Sequence, residues 1–223
     1  QQSRGVPSSF PTQLDHPMFL SFDGIDGVGK STQMRLLCEW LAGRGLEVVT
    51  CRDPGSTPLG ERIREIVLHS DDGTPIARRS EMLLYMAARA QLVDEIIRPA
   101  LAEGKVVVSD RFLLANLVYQ AYAGGLDLEA VRRVGLVAID GVEPDAVFLL
   151  DMPPEAADGR MDRALDRMER QGADYRRRLR DGFLAEAARP ASRIHVIDAD
   201  RPIEVVQADV REIAEGVLTP KRP

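Results

Sequence analysis

The feature that most constrains this chain is a glycine-rich segment at residues 24–31, whose sequence is GIDGVGKS. It matches the pattern G-x-x-x-x-G-K-S/T, in which backbone N–H groups surround phosphate oxygens and the following helix contributes its positive N-terminal end. The apolar run before it predicts a buried strand, and the helical spacing of apolar residues after Ser31 predicts a helix. The segment is therefore predicted to be a phosphate-binding loop (P-loop) between a strand and a helix.

The P-loop pattern assigns chemistry to particular side chains. Lys30 is expected to reach the β- and γ-phosphates of a nucleotide, and the Ser31 hydroxyl is expected to bind Mg²⁺. A second buried run, at residues 106–109, ends at Asp110, which is either a carboxylate near the same metal ion or a cap at the strand end. The predicted metal ligands are Ser31 and Asp110, and the predicted ATP-phosphate-binding residues are Gly24, Ile25, Asp26, Gly27, Val28, Gly29, Lys30, Ser31 and Thr32.

Strands and helices alternate along the rest of the chain. Further strands are predicted at residues 46–50, 105–109, 145–150 and 193–197, with helical periodicity in the stretches between them. Such alternation predicts an α/β fold with one doubly wound, five-stranded parallel sheet and helices on both faces. In that fold, ligands bind at the carboxyl ends of the strands, where the P-loop lies.

Composition excludes several classes of protein. The chain has 35 acidic residues against 29 Lys and Arg, which argues against a general nucleic-acid or anionic-membrane partner. No apolar run is long enough to span a membrane. Cys38 and Cys51 lack metal-ligand spacing and are interpreted as core thiols, which favours a reducing, cytoplasmic location. Residues 1–17 are expected to be a disordered leader or a cloning remnant, followed by a single domain at residues 18–220.

Several motifs, in order along the chain, resemble those of thymidylate kinases, P-loop nucleoside monophosphate kinases that transfer the ATP γ-phosphoryl group to dTMP. They are FDGIDGVGKST at 22–32, RDPGST at 52–57, LYMAARAQ at 84–91, DRF at 110–112 with Asn116, Tyr119 and Gln120, and LLDMPPE at 149–155 followed by LDRME at 165–169. The resemblance implies the three-layer P-loop kinase fold with a helical lid at about residues 153–175. It also implies Mg²⁺ as cofactor, ATP and dTMP as substrates, and a homodimer.

The resemblance further implies roles at the acceptor nucleotide. Tyr85 would stack on the thymine ring, Arg89 would donate to a thymine carbonyl, and Asn116 would read the base edge. Tyr119 would crowd the 2′ position and disfavour ribonucleotides, and Arg111 would hold the dTMP phosphate. The dTMP-binding residues implied in this way are Asp26, Arg52, Pro54, Tyr85, Arg89, Arg111, Asn116, Tyr119 and Gln120.

Phosphoryl transfer needs positive charge at the transferring group, which arginine supplies in bidentate form. Some thymidylate kinases carry that arginine in the P-loop, but the variable positions 25–28 hold no basic residue here. The charge is therefore expected from the lid stretch at 160–170, without a decision on which arginine acts. The predicted catalytic residues are Lys30, Asp26, Arg111, Arg160, Arg163 and Arg167.

The same residues have simpler interpretations. Tyr85 and Tyr119 fit core aromatics, Arg89 fits a solvated partner of Tyr85 or Asp94, and the lid arginines fit a salt-bridged surface. The alternative functions are another P-loop nucleoside or nucleotide kinase and a non-catalytic nucleotide-binding switch. A GTPase is disfavoured because the chain lacks an Asn-Lys-x-Asp motif.

Of the positions that depart from the usual family pattern, which include Phe112 and Ala115, two lie in the same loop. Asp53 stands where glutamate is more usual, and Ser56 replaces a common glycine. Both lie in the loop that the resemblance places beside the acceptor, so acceptor preference is the property that they bear on most directly.

Overall fold

The computed structural model describes residues 17–69, 75–160 and 172–218. All strand pairs within them are parallel, and they form one sheet in the order β2-β3-β1-β4-β5. The strands are β1 (Met18–Asp23), β2 (Val48–Arg52), β3 (Val106–Asp110), β4 (Ala146–Asp151) and β5 (Ile194–Asp198). The predicted α/β class and the five-stranded parallel sheet are confirmed.

Helices connect successive strands, and two segments have π-helical hydrogen bonding, at Val93–Ile97 and Leu117–Ala123. The α-helices are α1 (Lys30–Ala42), α2 (Pro58–His69), α3 (Arg78–Leu92), α4 (Arg98–Ala102), α5 (Leu113–Asn116), α6 (Leu128–Ile139), α7 (Pro154–Asp158), α8 (Ala173–Ala187) and α9 (Ile203–Leu218). The structure has no described helix that is long and apolar enough to cross a membrane.

The central sheet is covered on both faces because alternate side chains of its strands point to opposite sides. Leu20 and Val108 belong to the larger core, which includes apolar residues of α1, α8 and α9. Phe19 and Val107 belong to a second core with Leu92 of α3. Because both faces of the sheet are apolar, helices cover each of them, which gives three layers. The strands are accordingly nearly continuous hydrophobic runs.

The parallel register brings the carboxyl ends of the strands to one edge. Arg52 pairs with Asp110, and Asp110 pairs with Phe22, the residue before Asp23. The P-loop, the loop after β2 and the segment after β3 therefore start side by side. This edge positions the candidate site.

The element boundaries differ from the sequence predictions in informative ways. β2 begins two residues later than predicted and includes Cys51 and Arg52, because its length is set by pairing with β3. Asp127 is the N-cap of α6, since its carboxylate accepts a hydrogen bond from the Ala130 N–H at 2.7 Å. Nearly all of the predicted leader lies outside the described residues, as does the middle of the predicted lid.

Candidate active site

A cavity of about 590 Å³ opens at the carboxyl edge of the sheet. Its walls come from the P-loop, the loop after β2, α2, α3 and the segment that follows β3. Most residues predicted from the sequence line it: Asp26, Gly27, Gly29, Lys30, Ser31, Thr32, Arg52, Pro54, Tyr85, Arg89, Asp110, Arg111, Asn116, Tyr119, Gln120 and Arg160. The lining residues that were not predicted are Asp53, Arg64, Leu68 and Ala115.

The P-loop has the backbone that its glycines allow. Gly29, just before α1, has the left-handed φ of 94°, and Gly24 has φ of 134°, which L side chains rarely adopt. A Cβ on Gly24 would also collide with the Leu150 carbonyl oxygen. The side chains of Ile25 and Val28 are buried in the core rather than in the cavity. Any phosphate contact of Gly24, Ile25 or Val28 is thus left to their backbone N–H groups.

Asp26 is the electrostatic centre of the loop. Its Oδ1 accepts hydrogen bonds from Arg111 at 2.6 Å and from Lys30 at 3.2 Å, and its Oδ2 lies 3.4 Å from the Tyr119 hydroxyl. Burial opposes ionisation of this carboxyl, but the charges of Arg111 and Lys30 outweigh burial, so the pKa of Asp26 lies well below its usual range. The carboxylate holds both cations at one point of the cavity wall.

The two cations are buried with it. Lys30 also donates to the carbonyls of Gly24 at 3.1 Å and Ile25 at 2.9 Å. Burial, and then repulsion from Arg111, lower the pKa of Lys30 from its ordinary value. Burial likewise disfavours the charge of Arg111, but Asp26 outweighs it and raises the pKa of Arg111. The chemical consequence is a water-poor cationic wall suited to phosphate oxygens.

Two further carboxyls lie beside the P-loop. Asp23, the last residue of β1, is fully buried, and neither of its carboxyl oxygens has a hydrogen-bond partner among the described residues. Burial raises the pKa of Asp23 to about 7, because Arg111 and Lys30 offset the lost hydration only in part. Asp110 Oδ1 is also buried and unpartnered within the described chain. These three carboxyl oxygens accept no hydrogen bond from any described residue, so they are available as acceptors for a ligand.

Arg89 lies deep in the cavity wall rather than in solvent. Its Nε donates to Asp53 Oδ2 at 2.5 Å and its Nη2 to the Phe112 carbonyl at 3.2 Å, and the side chain is 1% exposed. The interpretation of Arg89 as a solvated partner of Tyr85 or Asp94 is therefore wrong. Burial raises the pKa of Asp53, and the charge of Arg89 opposes that rise.

The amides beside Arg89 form a buried chain. Asn116 Nδ2 donates to Gln120 Oε1 at 2.8 Å, and Gln120 Nε2 donates to Glu81 Oε1 at 3.1 Å. Asn116 Oδ1 is buried and accepts no hydrogen bond from the described residues. Tyr85, also buried, lines the cavity from α3, and it packs with Ile63 of α2. This end of the cavity offers an aromatic surface, guanidinium donors and one amide acceptor.

Arg64 is a lining residue that sequence reasoning missed. Its Nη1 donates to the Pro54 carbonyl at 3.1 Å, and burial together with nearby Arg52 lowers its pKa. The signal was available, because Arg64 interrupts the apolar stripe of α2 formed by Ile63, Val67 and Leu68. An arginine in a buried stripe needs a partner or a ligand.

Of the three predicted lid arginines, Arg160 lies within the described residues. Arg160 lines the cavity and donates to the Ala199 carbonyl and to Asp200, both at 3.1 Å, whereas Arg163 and Arg167 lie outside the described residues. Arg176 of α8, which was not predicted, donates to the Asp26 carbonyl at 3.1 Å and pairs with Asp158 at 2.5 Å. Arg176 therefore contacts the P-loop directly, whereas Arg160 lines the same cavity and is held by the segment after β5.

Comparisons with a family model, with related proteins and with solved structures all lead to the same family. A protein-family model described as thymidylate kinase matches residues 22–210. A thymidylate kinase of Rhodopirellula baltica is 42% identical over 211 residues, covering 93% of this chain and 85% of that protein. One of Pelotomaculum thermopropionicum is 48% identical over 203 residues, covering 90% and 94%. The crystal structure of thymidylate kinase from Ehrlichia chaffeensis has a TM-score of 0.73 at 31% identity, covering 90% of this chain and 99% of that one.

Proposed function

This chain belongs to the thymidylate kinase family, and we propose that it transfers the γ-phosphoryl group of ATP to dTMP, giving dTDP and ADP. The observation that carries the proposal is that two complementary groups line the same cavity as the P-loop. Arg89 offers N–H donors, and Asn116 Oδ1 is an acceptor that no described residue uses. Thymine presents carbonyl acceptors and an N3–H donor on its edge. Bound in the same orientation, cytosine would set its amino group against the Arg89 donors and its unprotonated N3 against Asn116 Oδ1, so both contacts would be lost.

The phosphoryl transfer relies on positioning and on charge. The acceptor phosphate oxygen is already an anion, so it needs little help from a general base. The P-loop backbone and Lys30 bind the donor phosphates, while Arg111 and Arg52 bind the acceptor phosphate. The hydrogen bonds that hold Lys30 and Arg111 on Asp26 keep the two cations close enough to act on neighbouring phosphates. We assign Arg64, the further lining cation, to the same acceptor phosphate.

Asp26 and Tyr119 are assigned to the sugar of the acceptor nucleotide. Asp26 stays ionised because of its low pKa, and it offers an acceptor for the 3′-hydroxyl. The Tyr119 ring stands beside it, with the Arg111 guanidinium 5.1 Å from the ring centre. A ring fixed on one side by a cation resists displacement, which supports exclusion of a 2′-hydroxyl.

The residues beside the P-loop fit Mg²⁺. Ser31 and Asp110 line the cavity, and Asp110 Oδ1 is a buried oxygen without a partner in the described chain. Among the described residues there is no cluster of three or more His, Cys, Asp or Glu able to hold a metal. Ser31 and Asp110 match the one or two protein ligands that Mg²⁺ usually takes beside water and substrate phosphates. When bound with ATP, the ion neutralises charge on the β- and γ-phosphates.

The base-reading role of Arg89 is tested by its removal. Arg89→Ala is expected to raise the KM for dTMP about 30-fold or more, since charge-assisted hydrogen bonds contribute about 1.5–3 kcal/mol each. The KM for ATP should change less than about twofold, because the hydrogen-bond partners of Arg89 are Asp53, Met86 and the Phe112 carbonyl and none of them belongs to the P-loop. Steady-state kinetics with each substrate varied in turn measure both constants. An equal increase in both would contradict base reading.

We also infer that the protein is a homodimer. Five of the eight large hydrophobic residues that are exposed in the described chain lie on α2, α3 and α6, and α3 packs against both other helices. Contiguous exposed apolar surface typically marks an association site. The five are Leu59, Ile66, Leu83, Leu136 and Val137.

Charge on that surface should separate the subunits. Leu83→Glu combined with Val137→Glu, at side chains 53% and 80% exposed, is expected to convert the dimer to a monomer in analytical ultracentrifugation. Val205→Glu, an exposed position on α9, is the matched control and should leave the dimer intact. A dimer that survives the double substitution would exclude this surface.

The cellular location is proposed on independent grounds. Cys38 and Cys51 are both free thiols, Cys51 buried and Cys38 partly so. Burial raises the pKa of Cys38 to about 11 and of Cys51 to about 12, so neither thiol is reactive. Two inert, unpaired thiols fit a reducing compartment, and we propose the cytoplasm.

A further inference from the structure

Asp53 has a position that the proposed reaction leaves unexplained. It is the first residue after β2, and its side chain is 0% exposed. Its backbone N–H donates to the Asp110 carbonyl at 3.0 Å, which fixes the residue to the end of β3. Asp53 also lines the cavity, although no motif assigned it a role there.

The one described carboxylate that pairs with Arg89 is that of Asp53. The guanidinium has five N–H groups in a rigid plane. Nε is used by Asp53, Nη2 by the Phe112 carbonyl, and Nη1 lies 3.1 Å from the Met86 sulfur, a weak acceptor. These contacts fix the plane and leave the remaining Nη hydrogens as the donors available to a ligand in the cavity.

Of the three contacts, only that of Asp53 is charged and short. The distance of 2.5 Å is at the short end for an N–H···O⁻ bond, and the other two acceptors are a neutral carbonyl and a sulfur. Without the carboxylate, the buried guanidinium would lose its charged partner and turn toward other acceptors. The direction of its free N–H groups, and not only its presence, therefore depends on Asp53.

We propose that Asp53 is a positioning residue that sets the pyrimidine preference by holding Arg89 in the orientation that faces a thymine carbonyl. The inference rests on the proposed function, because it assigns the Arg89 donors to the base of the acceptor. Asp53 itself does not touch the reacting atoms. Its removal should weaken dTMP binding and relax discrimination against dCMP, whose amino group replaces a carbonyl.

The test compares Asp53→Asn and Asp53→Glu with the unaltered protein. Asp53→Asn keeps the shape of the side chain but removes its charge, and it is expected to raise the KM for dTMP about tenfold or more. The dTMP-to-dCMP ratio of kcat/KM should fall by a similar factor, with the KM for ATP unchanged. Asp53→Glu restores the carboxylate and should recover most of the preference.

Glu186→Gln is the matched control. Glu186 is also a buried carboxylate paired with an arginine, Arg132, at 2.8 Å, and it lies outside the cavity lining. The substitution is expected to leave both KM values and the acceptor ratio unchanged. A merely structural role for Asp53 would make the two amide variants behave alike, and that result would overturn the proposal.

A double substitution keeps the test decisive even where Asp53→Asn alone folds poorly. Removing both partners of a buried pair is less disruptive than removing one. If Asp53 acts through Arg89, Arg89→Ala and Asp53→Asn/Arg89→Ala share the same KM for dTMP. A further rise in the double variant would overturn the proposal. Absence of dTMP turnover in the unaltered protein is a separate result, and it would overturn the proposed function together with this role.

Discussion

Replacing Lys30 with alanine is expected to lower kcat by about 100- to 1,000-fold. Lys30 is a buried cation of the P-loop, held by Asp26 and by two carbonyls of the loop. In a water-poor site, a preorganised cation stabilises developing charge far better than water does, and loss of a single such donor costs about 10²–10³ in rate. Lys30 is also proposed to bind the ground-state phosphates, so the KM for ATP should rise together with the fall in kcat.

The control for Lys30→Ala is available within the chain. Lys105, the residue before β3, pairs with Glu47 and Glu103 at the amino end of that strand and does not line the cavity. Lys105→Ala removes the same functional group and should leave kcat/KM unchanged for both substrates. An active Lys30→Ala enzyme with unaltered kcat/KM would contradict the assignment of the P-loop as the donor-phosphate site.

Arg111→Ala is expected to lower kcat/KM for dTMP about 100-fold or more, with a smaller effect on ATP. The guanidinium donates to Asp26 at 2.6 Å and to the Gly24 carbonyl at 3.2 Å, so it is preorganised at the boundary between donor and acceptor phosphates. Each lost charge-assisted hydrogen bond accounts for about 1.5–3 kcal/mol. The variant also leaves Asp26 with fewer cations, which adds repulsion toward the incoming phosphate.

Two comparisons sharpen the Arg111 experiment. Arg111→Lys retains the charge but not the bidentate geometry, so its kcat/KM should lie between those of the unaltered and alanine enzymes. Arg98→Ala breaks a surface pair with Asp140 and should have no kinetic effect. If Arg111→Ala changed the constants of ATP and dTMP alike, the assignment of Arg111 to the acceptor phosphate would be wrong.

The sheet was predictable because its signals are local. The P-loop identified its own strand and helix, and four further apolar runs supplied the remaining strands to within two residues. The π-helical segments were not predictable from a 3.6-residue period. One of them, Leu117–Ala123, carries Tyr119 and Gln120 into the cavity. The local sequence pattern therefore predicts which helices and strands exist more reliably than it predicts the hydrogen-bonding period of each helix.

Side-chain partners at the site were less predictable, because they come from distant parts of the chain. Arg89 and Asp53 are 36 residues apart and meet only when α3 packs against the end of β2. Periodicity alone interpreted Arg89 as a solvated helix residue, whereas the family resemblance assigned it to the base. Arg176 was missed for the same reason, since it donates to the Asp26 carbonyl in the P-loop.

The most direct test of the central claim is the rate of ADP release with ATP, Mg²⁺ and one acceptor at a time. The panel consists of the monophosphates dTMP, dUMP, dCMP and AMP and the nucleoside thymidine. The account predicts that kcat/KM for dTMP exceeds that for dCMP and AMP by at least about 100-fold, as expected when a site's buried donors and acceptors would be left unpaired by the wrong base. A preference for another acceptor, or ATP binding without turnover on any of them, would contradict it.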